Sequence, residues 1–373
     1  MCSGASALLH NHLLKNMNLE DIRREIDTLD DQLLLLLNRR MEWVHKVGEL
    51  KRATKTVIYR PEREKFILDR VKKLNKGPLS SEAIEAIYLE IFAAARNIEL
   101  PERIAYLGPE GSFTHQAAES RFGAMSEYMT LPTIKSVFEA VATGRAKFGV
   151  IPIENNQEGI VYETVDLLNE TSVNIAAELK IPVHFALATE CENPSKIKRI
   201  YSKDIAFRQC RGFLNKYFEQ TQPEEIQVES TSKAAKLASE DPESAAICSV
   251  IAARLFSLPT LFDNIEDNGN NRTRFFILAK DFVNQPSEDD KTTIIARLPD
   301  TDKPGILASF LQDFKRANIN LTKIESRPYK GSEDFNFWFF IELEGYFKNE
   351  NVQKVFKKHK SYIKWLGSYV RNA

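Results

Sequence analysis

Cysteine, net charge and long apolar runs are all scarce in this 373-residue chain. The four cysteines, Cys2, Cys191, Cys210 and Cys248, form no C-x-x-C pair and no metal-ligand spacing. That excludes a disulfide framework and a cysteine metal site, and points to a reduced, cytoplasmic protein with no cofactor demand of its own. A formal net charge of −1 excludes broad electrostatic binding of nucleic acid or an anionic membrane, while local basic pockets stay open. No apolar run approaches the roughly 18 residues of a membrane span. The opening segment, MCSGASALLHNHLLKNMN, lacks a basic stretch followed by a long apolar core. It reads as an extension rather than a secretory signal, with Met17 as an alternative start. What is present is enough for a packed fold: 43% hydrophobic and 28% charged residues, over a length that suits two or three domains.

Residues 18–99 hold almost no glycine and only two prolines. Ile22, Ile26, Leu29, Leu33, Leu36 and Leu37 recur at three- and four-residue steps, and Met41, Val44 and Val47 continue the stripe. This predicts a long helix over about 19–53, a turn near 54–60, a second helix starting at Pro61, and a third in KGPLSSEAIEAIYLEIFAAARNIE. After Pro101, short apolar runs (IAYLG, FGVIPI, RIYS, AAICS, RFFILA) alternate with helical segments, an α/β pattern. DFVNQPSEDDK, 281–291, reads as a linker. From Thr292 the order strand, helix, strand, strand, helix, strand predicts a ferredoxin-like α+β domain.

Arg40 and Lys51, eleven residues apart, return to nearly the same helix face, about 16 Å apart along the axis. Arg23 lies about 25 Å before Arg40 and reaches that neighbourhood only from a partner chain. Arg60, Arg63 and Glu64 follow in RPEREK. The stretch LEDIRREIDTLDDQLLLLLNRRMEWVHKVGELK…YRPEREK resembles the all-helical class of chorismate mutases across 19–99. The resemblance implies substrate-binding roles for Arg23 (across a dimer), Arg40, Lys51 and Arg63, with Glu64 on the substrate hydroxyl and the backbone of Arg60 beside it. A rearrangement that needs no proton transfer or nucleophile suits such a site: arginines fix the carboxylates and a lysine meets the breaking ether oxygen. Two positions depart from the family. Ala95 stands where a serine is common, and Glu99 where a glutamine donates to the ether oxygen. Only a protonated Glu99 can donate, so mutase turnover is expected to fall as pH rises through its titration.

Four polar elements punctuate the middle region. GPEGSFTHQAA carries Ser112 at a helix start, a natural anion site. PIENNQEG ends a strand in Glu154, Asn155 and Asn156, ESTSKAA puts Thr231 at a strand-to-helix joint, and NRTRFF opens a strand with Thr273 and Arg274. In this order they resemble the prephenate dehydratases over about 102–280. The resemblance implies that Thr273 polarises the departing ring oxygen, and that Ser112, Asn155, Thr231 and Arg274 hold carboxylates. His115 is a candidate helper, with capping or solvation as its plainer role. The family's histidine after YS is Lys203 here and receives no catalytic role.

The last region resembles the ACT regulatory domain. Gly305, Ile306, Leu307 and Ala308 stand for one phenylalanine-binding stretch, and Glu325, Ser326, Arg327 and Pro328 for the other. A glycine at a helix start exposes bare amides to an amino acid. Together these resemblances are to bifunctional chorismate mutase–prephenate dehydratases. They imply an all-α mutase domain at 17–100, a two-lobed, periplasmic-binding-protein-like α/β domain at 102–280 and an ACT domain at 292–370. Chorismate and prephenate are the implied substrates, L-phenylalanine the effector, and a homodimer or homotetramer the assembly. No metal, nucleic acid or membrane enters this reading. Two alternatives stay open: a dehydratase whose helical domain only dimerises or regulates, and a solute-binding protein without catalysis.

Overall fold

A computed structural model describes residues 18–54, 60–99, 103–124, 126–299, 303–329 and 336–371. Two compact units divide the chain, one built from residues up to 58 together with 95–100, the other from 59–94 and everything after 100.

The first unit is dominated by α1, Leu19–Thr54, unbroken over 36 residues. Asn18 and Asp21 cap it reciprocally: the Asp21 amide donates to Asn18 Oδ1 at 3.0 Å, and the Asn18 amide donates to Asp21 Oδ2 at 3.2 Å. The expected apolar stripe is there but uncovered, with Leu29 61% and Leu33 54% exposed. A helix with such a face is not stabilised by propensity alone.

The second unit begins with α2, Pro61–Leu74, whose proline occupies the first turn as expected. Helix α3, Ser81–Glu99, follows; its last turns belong to the first unit. The turn expected near 54–60 falls largely on 55–59, outside the described residues.

The α/β region holds two sheets. Into the first go β1 (Arg103–Leu107), β2 (Glu127–Leu131), β3 (Phe148–Asn155), β4 (Gly159–Ile160) and β5 (Val173–Pro182). Helices α4 (Phe113–Phe122), α5 (Ile134–Ala142) and α6 (Tyr162–Glu170) connect them. The chain then crosses at 183–185 to the second sheet, built from β6 (Ala186–Ala188), β7 (Arg199–Ser202), β8 (Glu224–Gln227), β9 (Ser244–Cys248) and β10 (Thr260–Phe262). Its helices are α7 (Asp204–Gln209), α8 (Arg211–Tyr217), α9 (Thr231–Ser239) and α10 (Val250–Leu255). A return crossing at 263–271 delivers β11, Arg272–Lys280, back into the first sheet, where it lies antiparallel between β3 and β5. Cys210 and Cys248 are buried in this region, and burial pushes both thiols well up.

The final region runs β12 (Asp290–Ala296), α11 (Ile306–Arg316), β13 (Leu321–Pro328), β14 (Phe337–Glu344), α12 (Glu350–Lys358) and β15 (Ile363–Val370). Its sheet order, β13-β14-β12-β15, is antiparallel throughout, as the βαββαβ pattern predicts. It is not a bead on a string. Ile151, Phe276 and Leu278 of the first sheet share one core with Ile295, Phe340, Leu366 and Tyr369. A side chain at Gly367 would strike the Ile175 carbonyl, so β15 needs glycine where it passes β5. The linker is shorter than the expected 281–291, because β12 already begins at Asp290. Its Asn284 is buried, donating to the carbonyls of Ala176 at 2.7 Å and Ser368 at 2.8 Å. The linker reading carries no sign of this polar residue's role, which is to satisfy two buried carbonyls.

Candidate active site

Thr273 lies at the start of β11, in the first sheet, where the chain has just returned from the second. Register places Thr273 opposite Asn155. The Asn155 amide is oriented from both ends. Its Oδ1 accepts from the backbone amides of Gln157 at 2.9 Å and Glu158 at 3.0 Å. Its Nδ2 must therefore donate, and it does so to Thr273 Oγ1 at 2.9 Å and Asn271 Oδ1 at 2.8 Å. With its oxygen already accepting, the half-buried Thr273 hydroxyl has its proton to offer elsewhere. The amide chain then crosses to the second sheet: Asn271 donates to Gln209 Oε1 at 3.1 Å, and Gln209 donates to Gln157 Oε1 at 2.8 Å. Asn271, Gln209 and Gln157 were not singled out from sequence. The signal was there, in amides flanking a strand end and closing a short helix, RQC and NNQEG.

The Glu110, Gly111 loop is gripped from the second sheet. Ser249 Oγ donates to the Gly111 carbonyl at 2.7 Å, and Ser232 Oγ donates to the Glu110 carbonyl. Gly111 has φ +77°, and a Cβ there would lie 2.9 Å from Ser232 Oγ and 3.0 Å from Ala252, so only glycine fits. Thr231 opens α9 behind the cap residue Ser230, which accepts from the Lys233 amide at 3.0 Å.

Three expectations change. Ser112 caps α4: its Oγ accepts from the His115 amide at 3.2 Å and donates to the Leu107 carbonyl at 3.3 Å, so its hydroxyl is already committed. His115 is neither solvated nor a cap. It is buried, stacked on Tyr106 at 4.7 Å, and its Nδ1 accepts from the Gly111 amide at 3.1 Å. Burial lowers its pKa more than Glu119 and Glu110 raise it, which makes a neutral, structural imidazole. Arg274 alternates to the opposite face of β11 from Thr273, and the carboxylates that it holds are the protein's own. They belong to Glu154 at 2.9 Å, Glu178 at 3.0 Å and Glu342 at 2.6 Å.

That ion cluster is balanced, and its centre of Arg274, Glu178, Lys291 and Glu342 is buried, with Glu154 and Lys323 half-buried at its edge. Lys291 meets Glu178 at 2.8 Å and Glu342 at 3.4 Å, and Lys323 meets Glu154 at 2.5 Å. Burial alone would raise the Glu154 and Glu178 pKa values. Lys323 and Arg274 overrule it at Glu154, as Lys291 and Arg274 do at Glu178, and both carboxyls end below their ordinary value. Glu342, Lys291 and Lys323 come from the C-terminal sheet, which is thereby wired to the strand carrying Thr273.

Within that C-terminal region, Gly305 (φ +85°), Ile306, Leu307 and Ala308 form the start of α11, as expected. Strand β13 is two-faced. Ser326 and Pro328 are exposed, but Glu325 and Arg327 point at α6. Arg327 holds Asp166 through two bonds of 3.0 and 2.9 Å and lies 4.3 Å over the Tyr162 ring, while Tyr162 donates to Glu325 at 3.2 Å. These two side chains are engaged within the chain, a correction to treating all four positions alike as effector contacts.

Of the helical residues, Arg40 and Lys51 keep their spacing because α1 has no break, about 16 Å at the standard rise. Arg23 is exposed and pairs with Glu20 at 2.9 Å. Ala95 is buried. The side chains of Lys51 and Glu99 lie outside the described part of the structure. In the second unit, Arg60 pairs with Glu62, and Arg63 is exposed over Phe66 at 5.2 Å. Glu64 is buried against Arg121 of α4, at 3.0 Å.

Residues 22–100 match the family model of chorismate mutase type II, and 104–282 match that of prephenate dehydratase. A bifunctional chorismate mutase/prephenate dehydratase of Aquifex aeolicus is 40% identical, covering 94% of this chain and 97% of its own length. One from Pseudomonas aeruginosa is 37% identical with the same coverage. Among solved structures, the prephenate dehydratase of Arthrobacter aurescens in complex with L-Phe superposes with a TM-score of 0.65 at 30% identity, over 72% of this chain and 90% of that one. No helix among the described residues is long and apolar enough to cross a membrane. The chain belongs to the bifunctional chorismate mutase/prephenate dehydratase family.

Proposed function

We propose that this chain rearranges chorismate to prephenate in a domain at 17–100, and converts prephenate to phenylpyruvate in a two-lobed domain at 102–280. An ACT domain at 292–370 then senses L-phenylalanine as feedback inhibitor. The observation that carries the dehydratase reading is the Thr273 hydroxyl, supplied with a hydrogen bond by a doubly anchored Asn155 and left with a proton to donate. In that step the ring–carboxylate bond breaks and releases CO2. Its electron pair aromatises the ring, and the ring C–O bond breaks. The departing hydroxide takes up a proton and leaves as water. Thr273 stabilises the charge growing on that oxygen, Asn155 orients the Thr273 hydroxyl, and Thr231 is assigned to a substrate carboxylate.

The mutase assignment rests on resemblance: Arg40, Arg63 and Lys51 for the carboxylates and ether oxygen, Glu64 for the hydroxyl, a protonated Glu99 as donor, and Arg23 delivered by a second copy. The uncovered stripe of α1 supports that last point, since only an apolar partner of matching length relieves it. An even-numbered homo-oligomer follows, and the resemblance to metabolic enzymes assigns it to the cytoplasm. Effector binding is assigned to the start of α11 and the open face of β13, with the solved relative's L-Phe complex in support.

The test supplies chorismate alone to purified protein and follows prephenate and phenylpyruvate over time. The reading requires transient prephenate, then phenylpyruvate. In Thr273→Val, prephenate must accumulate. Chorismate left untouched while added prephenate is consumed would leave a dehydratase with a non-catalytic helical domain.

A further inference from the structure

We propose that Arg121, a residue of the dehydratase region, is a positioning residue for the mutase reaction, holding the Glu64 carboxylate in the orientation from which it accepts the substrate hydroxyl. The proposal rests on the assignment of Glu64 made above.

Glu64 does not lie on the solvated side of its helix. On α2 it is one of two buried residues, the other being Pro61. It is 8% exposed and Arg121 7%, and Arg121 Nη1 stands 3.0 Å from Glu64 Oε2. The two residues are 57 positions apart, so this is no helix-surface pairing but a contact made by folding. Arg121 Nη1 meets one carboxylate oxygen as a close ion pair, and a buried cation at that oxygen biases the direction in which the other points.

The seam around the pair is built for close approach. Arg121 sits in the last turn of α4, and Gly123 follows at φ +80°. A Cβ on residue 123 would lie 2.5 Å from that of Ala93 on α3, so the glycine admits the helical region. Next to it, the Ala124 amide donates to Glu90 Oε1 at 3.1 Å. One residue beyond Glu64, Lys65 Nζ donates to the Arg371 carbonyl at 2.8 Å. Helix α2 is therefore pinned at Glu64 and at the neighbouring Lys65 by residues that come after position 100. A carboxylate on an otherwise solvated helix would sample several rotamers; this one is held.

The experiment uses the full chain with Arg121→Gln, Arg121→Lys, Glu64→Gln and the double Glu64→Gln/Arg121→Gln. Chorismate consumption and, separately, consumption of supplied prephenate are measured. Arg121→Gln is expected to lower mutase kcat/KM roughly 10- to 100-fold. Arg121→Lys should restore part of it, and dehydratase kcat/KM should stay within about twofold, which reports an intact fold. Added to Glu64→Gln, Arg121→Gln should cost no more than about a further twofold, since its action runs through Glu64. The proposal is overturned if Arg121→Gln leaves the mutase within about twofold, lowers both reactions alike, or multiplies with Glu64→Gln. Full mutase activity in Glu64→Gln would remove the underlying assignment instead, a result separate from any of these.

Discussion

The ion cluster around the buried Arg274, on the face of β11 opposite Thr273, allows a quantitative prediction. Arg274, Lys291 and Lys323 face Glu154, Glu178 and Glu342, so the charges cancel. Glu342→Gln keeps the side chain's shape but leaves one positive charge uncompensated beside Arg274, whose side chain is 8% exposed. Breaking a buried pair in this way costs about 3–5 kcal/mol. For a region of this size that lowers the melting temperature by roughly 10 °C. Lys291→Met should do the same with the opposite sign of residual charge. The double variant restores neutrality. It should be no less stable than either single, an interaction energy of at least about 3 kcal/mol in a double-mutant cycle. Thermal unfolding at neutral pH and moderate salt measures all four proteins, and dehydratase turnover follows the strand's alignment in parallel. If the double loses the sum of the two singles, to within about 0.5 kcal/mol, then separate pairs rather than overall neutrality hold the strand, and the reasoning fails.

The same cluster predicts an acid limit. Glu154 and Glu178 titrate below their ordinary value, so the unfolded chain binds protons more tightly than the folded one. Their contribution is complete above the ordinary carboxylate range, about 4.3, and is lost as pH falls through the depressed values; melting temperatures at pH 7, 5, 4 and 3 will reveal it. Thr273→Val should lower dehydratase kcat about 10²- to 10³-fold with mutase turnover unchanged, by steady-state assay on each substrate. Asp166→Asn removes the carboxylate that Arg327 grips, and should raise the L-phenylalanine concentration for half-inhibition about tenfold while leaving uninhibited turnover intact. Leu33→Asp with Leu36→Asp should shift the sedimentation profile to a smaller species and abolish mutase activity before dehydratase activity.

Much of this architecture was legible because its signals are local. The α1 boundaries follow from a stripe without proline, the α2 start from Pro61, and the C-terminal sheet from its alternation of strand and helix patterns. Thr273 and Asn155 could each be singled out by motif, but not that Asn155 would orient Thr273. What stayed hidden was the direction in which a side chain points and what lies there. Arg274 is next to Thr273 in sequence, yet strand alternation sends it to the other face, toward Glu342, 68 residues later. Lys291, read as the end of a linker, is a buried strand residue whose charge is legible only once Glu178 is beside it. Ser112 and His115 carry the look of a site, and their hydrogen bonds go to the backbone. Gln209 closes a short helix, a faint signal that gains meaning only from Gln157 and Asn271 in space.

The serines that clasp Glu110 and Gly111 give the dehydratase region a stitch besides the two strands of chain that pass between its sheets. A shell tied only along its spine flaps; one also fastened at the lip holds its shape. Substrate preference in such a scaffold is set by the side chains lining a fixed mould rather than by how far a jaw swings shut. New specificities would then come from single replacements around Asn155 and Thr273, without retuning any hinge.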